Sequence, residues 1–320
     1  MQDGSMTTST SSTDTLPARP TTLSLLEALT PTAENLLERH LDLAREWMPH
    51  EYVPWGMGRD FVDTPWEPGQ SSLSEVAQIA FEVNLLTEDN LPSYHREIAR
   101  AFGRESVWGT WVGRWTAEEG RHAFAMRDYL LLTRGVDPVE LERGRMMIME
   151  HGFDTGDKPA LNVMAYVSFQ ELATRISHRN LGKVTEDPIA EKLMSRIATD
   201  ENLHMIFYRG LVSAAIEYDA SAAVKAISQE LMAFQMPGTG IRDFDAKAKK
   251  IARAGIYDLR IHHDEVVQPI LRHWDFFAIT GLDAEAEQLR EQAAGYLTGL
   301  DALATRYDEV RAKREALAAR

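Results

Sequence analysis

Residues 116–126, TAEEGRHAFAM, and residues 198–208, ATDENLHMIFY, share one pattern: two acidic residues, two others, then a histidine. With 49 Asp+Glu and 10 His among 320 residues, random order yields roughly 0.2 such patterns. Two copies are therefore a signal, whereas a lone acid-x-x-His is expected roughly 1.5 times by chance. Residues three apart share a helix face. Glu119 with His122, and Glu201 with His204, can each aim a carboxylate and an imidazole at one point, which makes a chelating pair for a cation.

Two more glutamates stand at matching distances upstream. Glu88, in LLTEDNLPSY, precedes Glu119 by 31 residues, and Glu171, in SFQELATRISH, precedes Glu201 by 30. A helical hairpin explains that interval. From Glu88 to Phe102 and from Glu105 to Glu119 are legs of about 21 Å each at 1.5 Å per residue, so the two carboxylates return to one level. The second hairpin has shorter, less equal legs, from Glu171 to Gly182 and from Pro188 to Glu201.

Two such hairpins build a four-helix bundle with four glutamates and two histidines at one height. Unpaired burial would cost several kcal/mol per group, and a pair of divalent cations removes that cost. Oxygen ligands with two imidazoles and no thiolate favour iron or manganese over structural zinc. The competing reading is a pair of solvated helix faces. Apolar neighbours oppose it: Phe124, Ala125 and Leu130 after the first motif, and Met205, Ile206 and Phe207 after the second.

The elements that must carry these residues are helical by apolar spacing almost throughout. Helices are expected over 23–47, from 74 through Phe102 with a kink or restart at Pro92, and from 105 to a stop at Gly135. Further helices are expected over 138–150, over 158–181 with a stop at Gly182, and from an Asp187 cap and Pro188 to about Glu217. Later ones fall at 220–235, 243–255, 262–277 and 283–318. Residues 48–72, rich in Pro, Gly and aromatics, read as a surface-packed loop. No strand alternation is seen, so the fold class is all-α. We expect a polar, disordered tail over 1–22 and a single helical domain over 23–320.

The formal net charge of −15 excludes a general nucleic-acid binder, which needs a basic face. The chain has no cysteine, which removes disulfides, iron–sulfur clusters and thiol nucleophiles. There is no run of about 18 apolar residues to span a membrane and no apolar signal-peptide core. A cytoplasmic location is the expectation.

The stretches LTEDNLPSYHREIA, WVGRWTAEEGRH, YVSFQELATRISHRN and TDENLHMIFYR together resemble the soluble acyl-(acyl carrier protein) desaturases, most of all the actinobacterial ones, over about residues 23–275. The resemblance implies a ferritin-like four-helix bundle with additional helices and a carboxylate-bridged pair of iron ions, the ligand pattern described for ferritin-like di-metal proteins. By the same resemblance Glu88 and Glu171 are terminal ligands, Glu119 and Glu201 bridge, and His122 and His204 give one nitrogen to each iron. It also implies that Thr174 lies near the oxygen site, with a helix-backbone hydroxyl bond as the alternative. The resemblance further implies that Asp200 and Arg121 orient a ligand histidine and that Trp47 is the surface end of an electron route, with a packed interface tryptophan as the alternative. One departure stands out: the family has Asn in E-E-N-R-H where this chain has Gly120.

The implied reaction is O₂-dependent insertion of a cis double bond into a fatty acyl chain on acyl carrier protein. Two external electrons would come from a ferredoxin-type donor, and a homodimer is expected. Other di-iron chemistry (a hydroxylase or N-oxygenase) and a non-catalytic iron-binding ferritin-like protein remain open on the residues alone. An acidic carrier needs a basic patch; Lys247, Lys249, Lys250, Arg253 and Arg260 in 246–260 are candidates, against a solvated charged face. Trp108, Trp111 and Trp115 recur at helical spacing and suit core packing or an acyl slot. His262 and His263 are adjacent and diverge on a helix, which suits structural roles better than a second metal site. His178 fits either a supporting or a core position.

Overall fold

The computed structural model describes residues 22–238 and 240–318, and among them there are helices and turns but no strand. The expected tail over 1–22 lies outside the described residues except for Thr22, which opens α1 (Thr22–Leu43). That helix stops four residues short of the expected end. The cause is tertiary: the chain leaves the helix so that Trp47 can turn inward and donate its indole N–H to Asp200 at 2.7 Å. The following loop holds only two short 3-10 turns, Pro49–Glu51 and Trp55–Met57.

α2 (Glu75–Asp89) starts on Ser74, whose hydroxyl accepts the Ala77 N–H. It gives way to α3 (Leu91–Phe102) at the expected place, with Pro92 in the first turn of the new helix. There the missing N–H costs nothing. Gly103 ends α3 at φ +82, a conformation that glycine adopts without strain. Next come α4 (Ser106–Leu132), α5 (Pro138–His151) and α6 (Ala160–Val184). α7 (Pro188–Tyr218) is capped by Asp187, whose carboxylate accepts the Ile189 N–H at 2.8 Å. α8 (Ala220–Met232), α9 (Phe244–Arg253), α10 (Leu259–Ile261), α11 (Gln268–His273) and α12 (Ala284–Ala318) complete the order. A π-helical turn, His262–Val267, joins α10 to α11.

Gly182 does not stop a helix. It lies inside α6, where a Cβ would meet the Met194 Cβ at 3.1 Å and the Glu191 Cα at 3.2 Å. The glycine is there because the α7 backbone comes close, so its signal is helix contact rather than helix end.

α2, α4, α6 and α7 form the four-helix bundle, and every ligand expected from the sequence lies on them. Their apolar residues fall into two clusters. One gathers Trp108, Trp111, Phe169, Phe207 and Leu211; the other gathers Phe81, Leu85, Met126, Tyr129 and Ile197. Each fully buried large side chain contributes about 1.5–3 kcal/mol. Of the neighbours invoked from sequence, Ala125, Leu130, Met205 and Phe207 are buried, but Phe124 is 62% exposed and gives no support. It falls on the outer face of α4, away from the ligand stripe.

Gly120 is not required by packing, since a Cβ there would meet only Leu91 Cδ2, at 3.8 Å. Glycine inside a helix is less stable than alanine by about 0.5–1 kcal/mol. Gly120→Ala is therefore expected to raise the melting temperature by about 1–2 °C. A melting temperature at or below that of the parent chain would show that the helix depends on the glycine.

Candidate metal centre

Glu88 comes from α2, Glu119 and His122 from α4, Glu171 from α6, and Glu201 and His204 from α7. All six are buried. Their ligand atoms form two groups, Glu88/Glu119/His122/Glu201 and Glu119/Glu171/Glu201/His204, with the atoms of each within 4.8 Å of one another. Glu119 and Glu201 stand in both groups. The separation of 31 and 30 residues has thus returned the four carboxylates to one level.

The first acid of each motif supports the histidine of the other. His122 Nε2 faces Asp200 Oδ2 at 3.4 Å, and His204 Nε2 faces Glu118 Oε2 at 2.9 Å. An ionised carboxylate only accepts, so each Nε2 carries a proton, and each Nδ1 is left facing the carboxylate cluster, where loss of its own proton frees a lone pair for a cation. Those nitrogens point inward: His122 Nδ1 is 3.2 Å from Glu201 Oε1, and His204 Nδ1 is 2.8 Å from Glu119 Oε1. Both Nδ1 atoms make no hydrogen bond, and neither do Glu119 Oε1, Glu171 Oε2 and Glu201 Oε1, although all are buried. Buried polar atoms without partners are costly. Four carboxylates balance two divalent cations in charge, and the donor set of oxygen and imidazole nitrogen fits such ions.

The electrostatics without metal express the same pressure. Burial, then the Glu119 carboxylate, push the Glu88 carboxyl up to about 8. Burial and the charges of Glu119 and Glu201 raise Glu171 as well. Burial also opposes the charge on Glu119 and Glu201, but the surrounding imidazoles outweigh it and hold both below the usual carboxylate range.

Asp200 stands behind His122 Nε2, whereas Arg121 touches Asp200 and not a ligand histidine. Asp200 accepts from Trp47 and from Arg121 at 3.3 Å, and it also pairs with Arg196. Trp47 is not at the surface: it is 2% exposed, and its ring lies parallel to His122 with centroids 6.4 Å apart. The indole N–H needed a buried acceptor, and Asp200 supplied it. Thr174 donates to the Glu171 carbonyl at 3.0 Å, the helix-backbone alternative, while lining a cavity beside Glu88.

Other contributors stand behind the ligands, and His178 takes the supporting one of the two positions open to it. His178 donates Nε2–H to Glu88 at 3.0 Å and is itself held by Asn84. Trp115 donates to Glu171 at 3.0 Å; its place four residues before Glu119 was the available signal. Trp108 and Trp111 are buried in the core. Glu118 and His40 also join the site; the doubled acid of the motif was the sequence signal for Glu118, and His40 had none. His262 stacks on Phe234 with ring centroids 4.8 Å apart, and His263 faces Asp264, so the adjacent pair does not converge.

The proposed basic patch is largely neutralised. Lys247 pairs with Glu82, Lys250 with Glu75, and Arg260 with Asp301, each within the reach of an ion pair. These cations fasten α9 to α2 and α10 to α12, a use that the one-dimensional charge run conceals.

Two small cavity lobes of about 100 and 50 Å³ meet at the centre, sharing Thr87, Glu88 and Pro237 in their walls. The Thr87 hydroxyl donates to the Pro237 carbonyl at 2.9 Å where they join. The first lobe runs past Val83 and Ile251, and the second past Ile98, Val163 and Val167. A groove of about 590 Å³ shares Met236, Ala248 and Tyr257 with the first lobe and carries Lys249 on its rim.

A family model described as fatty acid desaturase matches residues 21–320. Mycobacterium tuberculosis DesA1, named as an acyl-(acyl carrier protein) desaturase, is 47% identical over 302 residues, covering 91% of this chain and 89% of its own length. A chloroplastic stearoyl-(acyl carrier protein) 9-desaturase of Arabidopsis thaliana is 31% identical, over 84% of this chain and 74% of that protein. The X-ray structure of M. tuberculosis DesA2 superposes with a TM-score of 0.68 at 29% identity, covering 83% of this chain and 99% of that one. No helix among the described residues is long and apolar enough to cross a membrane.

The raised carboxyls give a pH prediction. A carboxyl that moves from 4.5 to about 8 on folding binds a proton more tightly when folded, so its stabilisation is lost as pH rises through that interval. Metal removes the need for that proton. Cobalt(II) binding is therefore expected to release protons at pH 7, and the gain in melting temperature on metal addition should widen between about pH 6 and 8. Calorimetry in buffers of different ionisation enthalpy and thermal melts check this; a pH-independent gain contradicts it.

Proposed function

The chain belongs to the fatty acid desaturase family, and from that premise we propose that it inserts a cis double bond into a fatty acyl chain carried on acyl carrier protein. The observation that carries the reading is the meeting of two largely apolar lobes at Glu88, beside the six-ligand cluster. An extended hydrocarbon threaded through both lobes passes the centre in mid-chain, where a saturated methylene pair can be presented. Positioning is the larger part of what the protein must do.

Glu88, Glu119, His122, Glu171, Glu201 and His204 would hold two iron ions. Bound there, the ions would supply O₂ activation and the oxidation of two adjacent methylenes, with two external electrons and with oxygen leaving as water. The chain's own residues do the rest. Trp115 fixes the carboxylate of Glu171, and His178 fixes that of Glu88. Val83, Ile98, Val163 and Val167 keep the lobes apolar and exclude water. Thr174 can accept a hydrogen bond on the cavity side while its proton stays on the backbone.

Trp47, Asp200 and His122 form a continuous line from the 47–52 loop to the centre, extended outward by Tyr52, which packs edge-on against Trp47 at 5.2 Å. This line is the route we assign to electrons from a ferredoxin-type donor. The groove with Lys249 at its rim is the assigned entrance for the acyl chain, with the carrier resting outside it.

Iron-loaded protein incubated aerobically with ferredoxin, its reductase and acyl carrier proteins of several chain lengths should yield products lighter by two hydrogens, seen by mass spectrometry. Products heavier by one oxygen would point to hydroxylation instead. Lys249→Glu should raise KM for the acyl carrier protein substrate severalfold with kcat held; an unchanged KM removes the groove as the docking side.

A further inference from the structure

α1 lies outside the four-helix bundle, yet it sends one polar side chain into it. His40 is 3% exposed. Its Nε2 lies 2.9 Å from Glu118 Oε2, the same oxygen that accepts His204 Nε2 at 2.9 Å. The two imidazoles stack, with centroids 5.8 Å apart and planes 20° apart. Trp111 stands edge-on to both, 5.0 Å from His40 and 6.1 Å from His204. His40 Nδ1 makes no hydrogen bond, so the bond to Glu118 is the one polar tie among the described residues that offsets the burial of this ring.

We propose that His40 is a positioning residue for His204: through Glu118 it sets the second of the two metal positions, the one that Glu171 bounds. The inference rests on the two-metal reading above. Its physical basis lies in what else pulls on Glu118. Arg114 pairs with Oε1, and Arg121 approaches the same oxygen at 3.8 Å. The Arg114 side chain is 37% exposed and lies on the solvent side. Nothing on that side holds Oε2. With His40 absent, the carboxylate is free to swing toward the guanidinium groups, and the His204 ring loses the acceptor that fixes its orientation and tautomer. The partner histidine is secured differently. Asp200 is gripped by the Trp47 indole and by Arg121 and Arg196, none of which involves His40. Loss of His40 should therefore weaken one metal position and spare the other.

The experiment is an anaerobic cobalt(II) titration of the full chain, read by visible absorption and by metal content after gel filtration. The parent chain should take two equivalents. His40→Ala should keep one equivalent at parental affinity and bind the second at least about tenfold more weakly. Glutamine can place an amide N–H where His40 Nε2 lies, whereas asparagine is too short. His40→Gln should therefore restore the second equivalent and His40→Asn should not. A role in packing alone would not separate those two variants. If His40→Ala titrates like the parent, or if Gln and Asn titrate alike, the proposal is overturned, and the Gln/Asn contrast decides it even where the alanine variant does not fold. A parent chain that takes no second equivalent overturns the two-metal reading itself, and this proposal with it.

Discussion

Everything in this bundle is arranged around the repulsion among four carboxylates confined to one layer. Left in a low-dielectric interior without counter-charge, such groups take up protons, and Glu88 and Glu171 are pushed that way. The bundle does not dilute this layer with water or spread it along the helices. It concentrates the acids between two apolar clusters and aims the Nδ1 nitrogens of two imidazoles at them. The hydrophobic burial on either side supplies the free energy that keeps the unfavourable layer assembled. Without cations, protons on the raised carboxyls relieve part of the repulsion.

The supports around the centre follow from that constraint. Four of the six inward-facing ligands have a second polar group behind them: Asp200 and Glu118 behind the histidines, Trp115 behind Glu171, His178 behind Glu88. These groups are buried too, and each needs its own partner, which extends the network to Asn84, His40 and Trp47. Among the described residues, the network reaches out of the bundle to α1 through His40 and to the loop after it through Trp47. That explains why α1 ends early and why Trp47 turns inward. The cavity lobes share some of these groups: Asn84 and His178 line the first and Trp115 the second, with apolar side chains such as Val83, Ile251, Ile98 and Val167 making up much of the rest of their walls.

What could be read from the residues depended on whether the signal was periodic. Glu119, His122, Glu201 and His204 repeat at helical spacing, and Glu88 and Glu171 sit one hairpin upstream, so all six were legible together with the all-α fold. Helix starts with explicit chemistry, such as Asp187 followed by Pro188, were legible as well. Contacts made across distant segments were not. Glu118 looked like a spare acid, and His40 was a lone histidine among 10. Gly182 looked like a stop signal because a glycine needed for close helix approach has the same letter as one needed for a turn. The charge run in 246–260 looked like a docking patch because its counter-ions, Glu75 and Glu82, are far away in sequence.

The crossing of the two motifs has a consequence for how such a chain can change over generations. The two copies look like repeats, yet position 118 holds Glu and position 200 holds Asp, a difference of one methylene or about 1.5 Å of reach. Each length matches the ring on the opposite helix. Copying one motif over the other, as unequal recombination between internal repeats does, would leave one carboxylate too short or too long for its histidine. Similarity between the halves can therefore persist as a pattern while their letters are kept from becoming the same.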